Sequence, residues 1–445
     1  MTRLGPYAKY KDSGVEWFPR IPVTWSATKL KHISERLPGG TPDTSIDDYW
    51  RTDGSGSPWV SIGDMSGRRI ISTTAKSLTK EALASKPLPV GKPGTLLFAM
   101  YASVGEVTPL GIQASWNQAL LGIEARSIAD SRFLYYALQS IRDWLPALYR
   151  SNTQNNLNAD QVGNFDIPLP PIEVQKSISE YLDGQTAQID ELIGKQERLI
   201  ELLAEKRQAI ITQAVTKGLD PNAPTKPSGV PWQGPVPEHW TVQPLKNLIR
   251  MQTGVTLGKD FSEMETETYP YLRVANVQIG YVDLNEVKEI DLPKEVAATS
   301  MLRAGDVLMT EGGDRDKLAR GCIWEAPIAP CVHQNHIFAV RTGNQLLNEF
   351  LVLVLDADPA RSYFYLTGKQ STNLASTNST TVKNYRFGVP PMDEQQRIVH
   401  HLRRKTRLID DLVDKANAVI STLKERRSAL ISAAVTGKID VQGAA

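Results

Sequence analysis

"LPPIEVQKSISEYLDGQTAQIDELIGKQERLIELLAEKRQAIITQAVTKGLD" fills residues 169–220, and "VPPMDEQQRIVHHLRRKTRLIDDLVDKANAVISTLKERRSALISAAVTGKID" fills residues 389–440. Both stretches open on Pro-Pro, carry Ile-Asp further on and reach Ala-Val-Thr near the end. In the first, Leu182, Ile189, Leu203 and Ile210 fall on one heptad position, with Ile178, Leu192 and Leu199 on the other. The second repeats this with Leu402, Ile409, Leu423 and Leu430, then Ile398, Leu412 and Val419. The spacing predicts two long helices, each with a narrow apolar seam. Proline before each run suits a helix start, and Gly218 or Gly437 suits its end. At 1.5 Å per residue each would be about 65 Å long. A seam of that length needs an equally long partner, and the matching stripe in this chain is the other copy.

Outward from these helices a second pair of phrases appears: "SGVEWFPRIPVTW" at residues 13–25 and "SGVPWQGPVPEHW" at residues 228–240. Trp17, Pro22 and Trp25 match Trp232, Pro237 and Trp240, and their spacing points to packing against the helix ends. Two long matches in the same order make the chain a tandem duplication. Between them the halves diverge. "PWVSIGDM" (58–65) answers "PYLRVANV" (270–277), "GTLLFA" (94–99) answers "GDVLMT" (305–310), and "NQALLGI" (117–123) answers "QNHIFAV" (334–340). These alternate apolar and polar residues between Gly and Pro, and read as strands. The second copy carries about six extra residues between Met309 and Val332.

Chain order then predicts the architecture. Helix one leaves module one and leads through "KGLDPNAPTKPSG" (217–229) into module two, so helix two must return antiparallel along it. The expected fold is α+β: two similar mixed α/β modules separated by two long antiparallel helices, a coiled-coil rod with a pseudo-two-fold internal duplication. The boundaries read as 1–168 for module one, 169–218 for the first long helix, 219–388 for module two, and 389–445 for the second long helix and tail. The C-terminus should come back near the N-terminus.

Composition narrows the class. The chain has 445 residues, 41% of them hydrophobic and 22% charged, enough for several cores. No apolar run has the length of a membrane span, and "MTRLGPYAKYKDSG" (1–14) has no signal-peptide stretch, which points to the cytoplasm. Two cysteines, Cys322 and Cys331, make no disulfide framework. With a formal net charge of +1, any nucleic-acid site must come from local clusters of Arg and Lys.

These duplicated segments, in this order, resemble the specificity subunit of type I restriction–modification enzymes, over nearly the whole chain. The "SGV…W" and "LPPIEVQ"/"VPPMDEQ" segments carry the resemblance, together with "PWVSIGDM" and "QNHIFAV". It implies two target-recognition domains, each reading half of a bipartite asymmetric sequence in double-stranded DNA. It implies that the rod recruits two adenine-N6 methyltransferase subunits and, through them, restriction subunits, in a system of phage defence. It implies no catalysis in this chain. S-adenosylmethionine is then expected on the methyltransferase, and ATP with magnesium on the restriction subunit.

Enzyme motifs are poor by contrast. The Pro-Pro pairs lack the flanking amide and aromatic of an adenine methyltransferase. "GVTLGKD" (254–260) has the wrong spacing for a phosphate loop. Cys322, Cys331, His333 and His336 match no zinc spacing, so no metal site is expected.

Base and phosphate contacts draw on Arg, Lys, Asn, Gln and acidic groups. The module-one candidates are Arg51, Arg68, Arg69, Tyr101, Ser103, Asn117, Gln118, Asn155, Asn156 and Asn158. Those of module two are Lys259, Arg273, Asp314, Arg315, Asp316, Lys317, Arg320, Gln334, Asn335, Lys369 and Asn378. Arg403 and Arg407 are the candidates for gripping the methyltransferase. The competing reading is a two-module protein–protein scaffold with no DNA role.

Overall fold

The computed structural model describes residues 5–145, 156–256, 258, 261, 263–315, 318–319, 321–370 and 375–442. It divides into two compact units, Met1–Gln196 with Ala418–Ala445, and Glu197–Asn417. The division differs from the expected boundaries, because each module packs on one end of both long helices and the two ends belong to its unit.

In unit one the central sheet is antiparallel, ordered Ser34–Pro38, Leu120–Ala125, Leu96–Ala99, Val107–Pro109. The two-residue period splits its side chains between two faces. Leu96, Phe98, Leu121 and Ile123 join the main core, while Leu97, Ala99 and Leu120 join a second core around Trp116. Both faces are covered, so strand Leu96–Ala99 is buried throughout and reads as a continuous apolar run. A second sheet, Ser115–Trp116, Ser57–Val60, Lys76–Leu78 and Trp50–Arg51, closes that other face.

Unit two repeats the plan in the same register. Ala125 lies opposite Ser34 in unit one, and Thr342 lies opposite Ile249 in unit two. Leu96 pairs with Ile123, and Val307 with Val340. Val307, Met309, Phe338 and Val340 face the main core, and Leu308, Ile337 and Ala339 the second. All six echo segments contain the expected strands. Part of the extra length builds strand Gly312–Gly313, which pairs with Ala375–Ser376 and through it with Lys369–Gln370. This small sheet has no counterpart among the described residues of unit one.

The long helices are Ile172–Lys217 and Met392–Val435. In unit one, Ile178 and Leu182 share a core with Ile431, Ala434 and Val435, and Asp190 meets Arg427 at 3.1 Å. In unit two, Arg207 meets Asp410 at 3.7 Å, and Gly218 lies against Glu394. Within each unit the two helices therefore run antiparallel. The tail returns to the N-terminal segment, with Asp440 N donating to Gly5 O at 2.8 Å. Trp25 packs beside Gly437 and Trp240 beside Gly218, each just past a helix end. Trp17 and Trp232 donate their indole N–H to Asp166 O and Arg386 O, tying the start of each module to its last strand.

The heptad reading needs correction along the middle of the helices. Ile178, Leu182, Ile189, Leu203, Ile398, Leu402 and Ile409 are buried, while Ile210, Leu423 and Leu430 are half-buried. Leu192, Leu199, Leu412 and Val419 are 40–47% exposed. Their following neighbours Ile193, Ile200 and Val413 are half-buried and Ile420 is buried. At these positions the inward side chain is thus the second of two adjacent apolar residues, while Leu203 and Ile409 keep the expected place.

Candidate nucleic-acid interface

One turn is built alike in both modules. It links strand Ser115–Trp116 to Leu120–Ala125 in module one and Val332–His333 to Ile337–Thr342 in module two. In module one it carries Asn117 and Gln118; in module two the order is reversed, Gln334 then Asn335. Asn117 N donates to Val60 O at 3.0 Å, and Gln334 N donates to Leu272 O at 2.9 Å, so the turns hang from equivalent strands. Glycine is required beneath each. A Cβ at Gly39 would run into the carbonyl oxygen of Asn117, and one at Gly254 into that of His333.

The side-chain chemistry differs on this common frame. Asn117 Oδ1 accepts from Ala119 N at 3.1 Å, and its amide NH2 meets no acceptor among the described residues. Gln118 is exposed and its Oε1 meets the Thr41 hydroxyl, while Lys86 Nζ donates to Thr41 O at 3.1 Å. Gln334 Oε1 accepts from Val274 N at 3.3 Å, beside Arg273, and Asn335 N donates to Val255 O at 2.9 Å. Arg273 is half-buried and reaches Glu286 at 3.3 Å.

Other candidates gather nearby. Met100 N donates to Ala119 O, and Leu157 N to Met100 O at 2.9 Å. These bonds bring Tyr101, 40% exposed, and the exposed Asn156 and Asn158 towards the module-one turn. Asn158 is also the cap of helix Ala159–Gly163, its Oδ1 accepting from Asp160 N and Gln161 N. Half-buried Ser103 lies in the tight turn before Val107–Pro109, its carbonyl accepting from Glu106 N.

In module two the small extra sheet brings Arg315 and Lys369 together. Arg315 donates to Tyr365 O at 3.1 Å and to Gln370 Oε1 at 3.2 Å, and its guanidinium lies 4.2 Å from the Tyr365 ring centroid. Asp314 adjoins it and is exposed. Glu311 links this sheet to the amide turn: its N–H donates to His336 O, and its carboxylate meets His336 Nδ1 at 2.6 Å. Asn378 caps helix Ser379–Asn384 through Thr381 N.

Three module-one arginines lie elsewhere. Arg51 sits on edge strand Trp50–Arg51, with two strands between it and the one leading into the turn, and donates to Asp48 O and Trp50 O. Arg68 donates to Thr73 O at 2.9 Å. Arg69 meets Asp190 on the first long helix at 3.0 Å, so the structure assigns it to module docking. Asn155, Lys259, Asp316, Lys317 and Arg320 lie outside the described residues.

The helix candidates divide. Arg407 is exposed, whereas Arg403 pairs with Glu349 of its own module at 2.6 Å. Its reversal would therefore disturb the module contact as well. Cys322 and Cys331 are buried in the second core of module two, and burial pushes both thiols up to about 12. They stay protonated at neutral pH and pack as small apolar groups.

Sequence reading missed Gln175 and Gln395, which hold each module to its long helix. Gln175 Nε2 donates to Pro170 O and Ile128 O, and its Oε1 accepts from Asp130 N at 2.8 Å. Gln395 does the same with Pro390 O, Gln345 O and Leu347 N, again at 2.8 Å. Both are fully buried. The signal was present: an identical residue four places after the second Pro of each matched phrase.

Two sibling mixed α/β modules, each clamped by a buried glutamine to a long helix and each presenting an amide turn, define a duplicated recognition protein. The chain belongs to the family described as "Type I restriction modification DNA specificity domain", which matches it twice, over residues 22–202 and 237–422. It is thus the DNA-recognition component of a type I system, with two target-recognition domains and not the catalytic part. It is 22% identical over 441 residues to the type I restriction enzyme MjaVIII specificity subunit of Methanocaldococcus jannaschii, covering 95% of each chain. It is 25% identical over 346 residues to the EcoBI specificity subunit of Escherichia coli, covering 73% of this chain and 69% of that one. A solved structure described as concerning complex assembly and conformational transition of the type I R-M system has the same fold. Its TM-score is 0.66 at 17% identity, over 93% of this chain and 98% of that one. Among the described residues no helix is long and apolar enough to cross a membrane.

Proposed function

We propose that each module reads one half of a bipartite, asymmetric sequence in double-stranded DNA, with the amide turn of each at the base edges. The observation that carries this reading is the reversed pair, Asn117-Gln118 against Gln334-Asn335, on one conserved frame. Asn and Gln suit adenine in the major groove, and exchanging their order on a fixed turn changes the pattern read without changing the fold. Arg315 and Lys369, on a sheet without a described counterpart, extend the module-two surface with positive charge. In the same proposal the long helices recruit two copies of an adenine-N6 methyltransferase and, through them, restriction subunits, in the cytoplasm. S-adenosylmethionine is then held by the methyltransferase, and ATP with magnesium by the restriction subunit. Recruitment of two identical copies is supported by exposed apolar residues kept at matched positions through the duplication: Leu192 with Leu412, and Leu199 with Val419.

Methylome sequencing of a host with and without the gene tests the proposal. A split adenine-methylated motif should vanish on deletion, and replacing residues 34–165 with those of a relative should change one half of it. A contiguous motif, or changes in both halves, would refute the reading.

A further inference from the structure

The glutamine clamps set two short helices in the same place on the two long ones. Helix Ser131–Arg142 follows Asp130, held by Gln175; helix Asn348–Asp356 follows Leu347, held by Gln395. Arg132 and Glu349 therefore occupy the same position, as do Tyr136 and Leu353 one turn further on. Facing them, two turns beyond the glutamines, are Asp183 and Arg403. In unit one, Arg132 meets Asp183 at 3.3 Å. In unit two, Glu349 meets Arg403 at 2.6 Å. The contact has kept its place and reversed its sign. The neighbour has changed with it. The Tyr136 hydroxyl, on a side chain 2% exposed, donates to Asp183 at 2.6 Å, whereas Leu353 lines the equivalent cleft with Arg403 and offers no donor.

We infer that this sign-reversed contact is a matching device, by which each recognition module docks on its own long helix and the other module is rejected, whether from the same chain or a second copy. Module two on the first helix would set Glu349 against Asp183 and leave that carboxylate without either of its donors. Module one on the second would set Arg132 against Arg403 and take the Tyr136 hydroxyl from its carboxylate, leaving it the hydroxyl of Thr406 at the place of Thr186. Half-exposed ion pairs attract weakly, so the discrimination lies in the wrong combination: like charges held together and a carboxylate parted from its donors. The glutamine clamp is common to both units, so it places a module on a helix without telling the two modules apart.

The test follows docking by hydrogen exchange in the full chain, on peptides spanning residues 131–142 and 348–356. Arg132→Glu leaves the Tyr136–Asp183 bond in place and reverses one sign. Exchange of 131–142 should then rise about tenfold, and by more than in Arg132→Ala. Combining Arg132→Glu, Tyr136→Leu and Asp183→Arg gives unit one the complete second set, and exchange should fall back to within about threefold of the parent. Glu349→Arg, alone and with Leu353→Tyr and Arg403→Asp, should behave likewise on 348–356. A reversal no worse than the alanine variant overturns the inference, as does a triple variant that exchanges as fast as the single. Should Arg132→Glu prove insoluble, a soluble triple variant supports the inference and an insoluble one overturns it.

Discussion

Asp190 meets the Arg427 guanidinium at 3.1 Å, and the duplication that carries residue 190 to 410 and residue 207 to 427 pairs the same charges again, more loosely, between Asp410 and Arg207 at 3.7 Å. One ancestral pairing thus accounts for the antiparallel contact in both units. The copies have since diverged. Asp190 also receives Arg69 at 3.0 Å and its side chain is 28% exposed, whereas Asp410 has one distant guanidinium and is 58% exposed.

That asymmetry predicts unequal losses. Asp190→Ala leaves Arg69 and Arg427 facing each other without their common acceptor, and should cost about 1–2 kcal/mol. Asp410→Ala should cost less than about 0.5 kcal/mol. Urea midpoints of the two variants against the parent decide it, and equal shifts would show that Arg69 adds nothing.

The amide turns should act on specificity one module at a time. Asn117→Ala with Gln118→Ala should weaken discrimination in one half-site by about 1–3 kcal/mol per lost bidentate contact, leaving the other half unchanged. Gln334→Ala with Asn335→Ala should do the converse. Lys369→Ala should instead weaken binding to all duplexes alike and reduce the salt slope by about one. Titrating purified complex against duplexes with each half scrambled separates the two effects.

Much of this was legible in the sequence, and the illegible part has physical causes. The duplication, the six strand segments and the direction of the helices follow from order and periodicity, which are properties of the chain itself. The seam was misread at Leu192 and Leu199 because each is followed by a second apolar residue, Ile193 and Ile200, and a heptad count alone does not say which of the two turns inward. Arg69 and Arg403 looked like free surface cations, since nothing local announces that Asp190 or Glu349 will lie opposite. Asn158 could have been recognised as a cap, because Gln161 follows at capping-box spacing.

Displacement of the seam yields a prediction about assembly. Leu192, Leu199, Leu412 and Val419 were expected to hold the helices together, yet they face outward. Leu192→Glu with Leu412→Glu should therefore leave the melting temperature within about 2 °C of the parent. Co-purification with the methyltransferase subunit should fall at least about tenfold, as two buried leucine contacts are lost from a binding surface. A large drop in melting temperature with binding retained would return these residues to the rod core.

His333 occupies the position that Trp116 holds in module one. There, Gly122 makes room for the indole; module two has Ala339 instead and fits the smaller imidazole. His333 is fully buried, and loss of solvation pushes its imidazole down to about 4. In the unfolded chain the same group titrates at about 6.5. Between those values the unfolded state binds more protons, so stability rises with pH. The contribution is complete above about pH 6.5 and is lost progressively as the pH falls towards 4, amounting to about 3 kcal/mol by linkage. His333→Gln removes the titrating group while keeping an amide that can face Gln252, now 3.4 Å from the ring. Its urea midpoint for module two should change less between pH 7.5 and pH 4.5 than the parent's, and parallel curves for the two proteins would show that another group carries the acid sensitivity.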